Sequence, residues 1–141
     1  MFSEGIIMVK ALLCIAGTAG FCVVLGVSRS KLIVAVLGGA VSAFTAAILE
    51  NAGAGIFKTT LVAMIALCVF SEIAARAVKT PAAVIMIPGS IPLLPGGSLY
   101  YMMSGDLIAG ILEITEALVT ALAIVLGFAA ALIVFGRHNY G

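Results

Sequence analysis

Residues 81–103 read PAAVIMIPGSIPLLPGGSLYYMM, and this stretch decides how the rest of the chain is read. It holds all four prolines, Pro81, Pro88, Pro92 and Pro95, with Gly89, Gly96 and Gly97 among them and no charge before Asp106. An apolar run of about 20 residues is long enough to cross a bilayer as a helix. Each internal proline lacks an N–H and clashes with the turn before it, so the expectation is a broken helix. The freed backbone must be satisfied by neighbouring helices, side chains or water, because lipid offers no partner. In transporters, interrupted helices of this kind often lie at the substrate site, which makes the stretch the first place to look for function.

The composition around it agrees with a membrane setting. Of 141 residues, 64% are hydrophobic and 9% are charged, and the mean hydropathy is +1.34. A soluble domain carries about 25% charged residues, so this chain lacks the polar side chains to coat a surface facing water. The expectation is an all-α, polytopic membrane helix bundle, with residues 1–141 as a single integral membrane domain. The net charge of +1 says nothing about nucleic acid, but without a basic cluster to neutralise phosphates no nucleic-acid partner is expected. Cys14, Cys22 and Cys68 have no CxxC spacing and read as small buried hydrophobes. The start, MFSEGIIMVK, has Glu4 and no basic n-region, so a cleaved signal peptide is not expected. The chain contains no GxSxG, P-loop lysine or HExxH, so no enzyme, metal site or cofactor is expected.

About five apolar segments follow from the pattern. They run over residues 6–25, 32–49, 56–75, 81–103 and 111–135, the fourth being the broken one. Ala35, Gly39, Ala43 and Ala47 are spaced four apart and form a smooth helix face; Ala123, Gly127 and Ala131 form another. Glu50, Asn51 and a Gly-rich turn close the second segment, and Asp106 reads as an N-cap. If all five segments cross, Arg29, Lys31, Arg76, Lys79 and Arg137 share one side, against Lys10 and Lys58. A re-entrant fourth segment moves Arg137 across and nearly evens the count. Lys/Arg excess marks the cytoplasmic face, so five crossings with the N-terminus outside and the C-terminus inside are preferred.

The candidate functional residues fall in and near the broken stretch. Pro88, Gly89, Pro92, Pro95, Gly96, Gly97, Ser98, Tyr100 and Tyr101 are the candidate substrate-binding set. A break inside the membrane exposes a helix N-terminus, whose free N–H groups and partial positive charge suit a carboxylate. The plainer alternative is a packing kink with an interfacial tyrosine pair. Glu72, Glu113 and Glu116 are the proton-relay candidates, because carboxylates in apolar segments commonly line a pathway. The alternatives are a boundary ion pair of Glu72 with Arg76, and dipole-favoured acids at a helix start for Glu113 and Glu116. Thr45, Thr59, Thr60, Thr115 and Thr120 read as ordinary glue between helices. His138 lies near the end of the chain and is given no role.

The run SEIAARAVKTPAAVIMIPGSIPLLPGGSLYYMM resembles the signature of the threonine/serine exporter family. The distinctive part is residues 71–103, with the PxxPG element at Pro92–Gly96 followed by Tyr100 and Tyr101. More narrowly, the chain is similar to the small, separately encoded membrane subunit of that family. The resemblance implies proton-driven export of small hydrophilic metabolites, such as threonine and serine, across a bacterial cytoplasmic membrane. It also implies a larger membrane subunit as partner. Some two-component relatives are associated with dicarboxylate export, and a non-transporting scaffold for the larger partner is a further alternative.

Overall fold

A computed structural model describes residues 2–105 and 107–136. Asp106, read above as an N-cap, and Arg137 and His138 lie outside the described residues. Four long helices dominate: α1 (Phe2–Val24), α2 (Arg29–Asn51), α3 (Ile56–Val78) and α6 (Leu107–Gly136). The first three have 23 residues each and α6 has 30. At 1.5 Å per residue the shorter ones reach about 35 Å, more than the roughly 30 Å hydrocarbon core. All four are long and apolar enough to cross a membrane. Between α3 and α6 the proline-rich stretch forms α4 (Ala83–Gly89), a 3-10 turn (Ile91–Leu93) and α5 (Gly96–Met103).

Local chemistry sets these boundaries. Gly26 and Gly53 take left-handed φ values of 68° and 75°. There the N–H of the residue after each glycine turns back to a carbonyl five residues earlier, Val27 to Cys22 and Ala54 to Leu49. These closures satisfy carbonyls that a helix end leaves open. α3 ends the same way, with Lys79 at φ 51° and the Thr80 N–H on the Ala75 carbonyl. Pro88 is tolerated near the end of α4. Pro95 pushes Leu94 into an extended conformation, at φ −66° and ψ 138°, and so separates the 3-10 turn from α5.

α2 is the centre of the bundle, packed against α1, α3, α4 and the 3-10 turn. Two ridges of small residues make this possible. On one, Gly39 lies against Thr18 of α1. On the other, Gly38 meets Ile85 and Leu67, and Ser42 meets Gly89. The first ridge belongs to the face expected from sequence. The second has the same four-residue spacing, Gly38, Ser42 and Ala46, and receives the broken segment. On α6, Gly127 sits against Met64 of α3, and Ala131 packs on the core of Met64, Leu67, Cys68, Met86 and Leu93. A methyl at Gly39 would lie 2.6 Å from the Thr18 hydroxyl, whereas one at Gly17 would meet nothing within 4 Å. Gly39→Ala is therefore expected to destabilise the purified protein by about 1–2 kcal/mol while Gly17→Ala does not, as a thermal melt in detergent would show.

The contacts fix the course of the chain. Thr59 and Thr60 of α3 share a cavity with Glu116 and Thr120 of α6, and further along Met64 meets Gly127. α3 and α6 thus run in the same direction. The segment joining them must pass from one end of the bundle to the other. It does so with Gly89 level with Gly38 and Leu67, and with Pro92 beside Ala46, Ala47 and Glu50 near the end of α2. The outward faces, including Leu12, Val23, Leu118, Val125 and Ile133, are exposed and apolar, as lipid contact requires.

Candidate functional site

The break in the fourth segment is answered by its neighbours. Gly89 ends α4, and its carbonyl has no helical donor ahead of it. The Ser42 hydroxyl, fully buried on α2, lies 2.7 Å from that oxygen and 2.9 Å from the Gly39 carbonyl. Pro88 and Gly89 are buried against α2 and α3, in a packed region. Past them, the chain enters more open surroundings.

Two cavities flank the 3-10 turn, at the end of the bundle where α2 stops and α3 starts. One, of about 200 Å³, is walled by Pro92, Leu94, Pro95 and Ser98 on one side. Facing them are Glu50 from α2, Thr59 and Thr60 from α3, and Glu116 and Thr120 from α6. Drug-sized molecules need pockets of roughly 300 Å³ or more, so this hollow suits a smaller solute. At its rim α5 begins. The Gly96 N–H donates to the Leu94 carbonyl and the Leu99 N–H to the Pro95 carbonyl. The N–H groups of the first turn between them have no carbonyl within the helix. The second cavity, of about 250 Å³, is lined by Lys10, Ala11 and Cys14 of α1, by Ala43, Ala46, Ala47 and Glu50 of α2, and by Pro92. The two share Ala46, Glu50 and Pro92 as a common wall.

The structure brings together Pro92, Pro95, Ser98 and Glu116 of the sequence-derived candidates. Gly96 and Gly97 lie in the first turn of α5. Tyr100 and Tyr101 are exposed, stacked edge to face at 5.7 Å, because α5 packs on α6 and the tyrosines point away from the hollow. Glu113 sits one turn from Glu116 on α6, outside the wall of either cavity. Glu72 lies at the other end of α3, 4.0 Å from Arg76, in the arrangement of a boundary ion pair.

Glu50 and the threonines are the residues that the sequence did not single out. Glu50 reads there only as the end of a segment. Thr45, Thr115 and Thr120 bond back to carbonyls of their own helices, the usual refuge of a hydroxyl in an apolar helix. Thr60 is 6% exposed and lines the cavity, whereas the fully buried hydroxyls without a partner among the described residues are those of Ser71 and Thr80, away from it. The signal available for Glu50 was its place beside the Gly-rich turn, facing the same end of the bundle as Lys10 and Lys58.

A family model described as Threonine/Serine exporter, ThrE, matches residues 10–135. No curated protein and no solved structure matches the chain. The family match takes in every long helix, the broken segment between them and the walls of both cavities. With four long apolar helices around a proline-broken fourth segment, the chain is a multi-pass membrane protein that belongs to the threonine/serine exporter family.

Proposed function

We propose that the chain is one subunit of a two-component secondary transporter that exports threonine- or serine-like amino acids with proton coupling. Its partner is a larger membrane subunit of the same family. The membrane is a bacterial cytoplasmic one, with the N-terminus outside, so both cavities face the release side.

The observation that carries this reading is the polar hollow beside the broken span, where Pro92, Pro95 and Ser98 meet Glu50, Glu116 and three threonines. A solute carboxylate is met by the free N–H groups at the start of α5. Hydroxyls on the wall suit the hydroxyl of serine or threonine. Glu116 borders the solute and is the first choice for a proton acceptor, with Glu113 behind it and Glu72 serving the opposite side. A proton crossing 100 mV gains about 2.3 kcal/mol, enough to drive uphill export if its uptake alternates with that of the solute.

The test is counterflow by the purified two-subunit complex in proteoliposomes, comparing serine, threonine and succinate at two pH values. Pro95→Ala, which frees Leu94 from its extended conformation, and Ser98→Leu, which fills the hollow, are both expected to bring flux to background while the complex stays monodisperse. Unchanged flux in both variants sinks the site assignment. Full flux from the larger subunit alone makes this chain a scaffold instead.

A further inference from the structure

Lys10 and Glu50 carry opposite charges and border the same cavity of about 250 Å³. They do not close on each other: the ion pair found among the described residues is Glu72 with Arg76. The floor between them is made of small, apolar residues, Ala11, Cys14, Ala43 and Ala47. Two poles are thus held apart across an opening. Beyond the shared wall, the other cavity has Glu50 and Glu116 but, among the described residues, no basic side chain in its lining. Thr60, 6% exposed, also lines it.

From this arrangement we infer that Glu50 binds the ammonium group of a zwitterionic solute in both cavities, and that Lys10 binds its carboxylate in one of them. The inference rests on the exporter reading and extends it. In the threonine-lined cavity the carboxylate faces the start of α5 and the solute hydroxyl reaches Thr60. In the adjoining cavity the carboxylate faces Lys10. The ammonium stays on Glu50 throughout, so Glu50 is the pivot between two stations. The charge pattern selects the solute class. An α-amino acid presents one positive and one negative group and satisfies both poles. A dicarboxylate brings a second negative group to a wall that already carries Glu50 and Glu116, where like charges repel. The family's amino-acid branch is therefore favoured for this chain over its dicarboxylate branch.

The test uses the two-subunit complex, with labelled serine in counterflow and three competitors: serine, 3-hydroxypropionate, which is serine without its ammonium group, and succinate. Wild type is expected to prefer serine over both others. Glu50→Gln is expected to weaken serine by roughly ten- to hundredfold, the range of a lost hydrogen bond to a charged group, and to abolish its advantage over 3-hydroxypropionate. Glu50→Asp retains that advantage at reduced affinity. Lys10→Met weakens serine and leaves the advantage in place. Because flux can vanish for other reasons, the serine-induced rise in the thermal midpoint of the complex is read in parallel. It is expected in wild type and Glu50→Asp, and lost in Glu50→Gln. If Glu50→Gln keeps both the preference and the thermal response, the inference is overturned and the exporter reading survives. If wild type itself carries none of the three solutes, the exporter reading fails first.

Discussion

Gly89→Val is expected to be the most damaging single change in the bundle, leaving little monodisperse protein after detergent extraction. The position needs glycine because two helices touch there. A Cβ on Gly89 would lie 2.6 Å from a Leu67 methyl and 3.3 Å from the backbone carbon of Gly38. Leu67 is fully buried, so its side chain can yield only by repacking within the core. Gly38 presents main chain, which yields only if α2 itself moves. Overpacking a filled core costs about 1–3 kcal/mol, occasionally more, and a branched side chain against a backbone belongs at the upper end. Gly96→Val is the matched control, since a Cβ there meets nothing within 4 Å. Comparable recovery and melting of the two variants would show that α4 is not seated against α2 as described.

Ser42→Ala comes next, and its expected effect is local before it is global. The hydroxyl answers the Gly89 carbonyl at 2.7 Å, from a residue 47 positions away. Removing it leaves a buried carbonyl unpaired, which costs about 1–3 kcal/mol. The cost should appear as a loosening of α4, because the bond ties α4 to α2. Cys68 reports on this: it is fully buried and lies 3.8 Å from the Met86 sulfur of α4. Its alkylation by a small maleimide should quicken about tenfold in Ser42→Ala, since 1.4 kcal/mol is a factor of ten in the open population. Ser30→Ala, at an exposed site, should leave the rate unchanged. Equal rates in both variants would count against the bond.

The outcome for the broken segment shows what a sequence can and cannot convey. Four prolines within fifteen residues forced a break, and lipid forced the freed groups to find partners. Both follow from chemistry local to the chain, and the structure has α4, a 3-10 turn and α5 where one helix was excluded. That Ser42 would supply the bond did not follow, because spacing identifies a face of α2 without saying which helix covers it. The same limit explains Glu50. Its carboxylate gains meaning from Lys10, forty residues earlier, and from Glu116, sixty-six later, and only tertiary packing brings them to one place. The tyrosines illustrate the reverse. Their hydroxyls follow directly on the PxxPG element, yet α5 turns them outward, because its packing is with α6.

The broken span is divided in its allegiance. α4 and the 3-10 turn are held by α1, α2 and α3, whereas α5 is carried on α6. The boundary falls at Leu94 and Pro95, inside the wall of the hollow. Any rocking of α6 against the first three helices would drag Ser98 and Glu116 together and leave Pro92 and Glu50 behind, widening or pinching the chamber like a jaw. Spin labels at Ala47 and Leu118 would register that stroke as a distance that changes with solute, and a fixed distance would mean the jaw does not move.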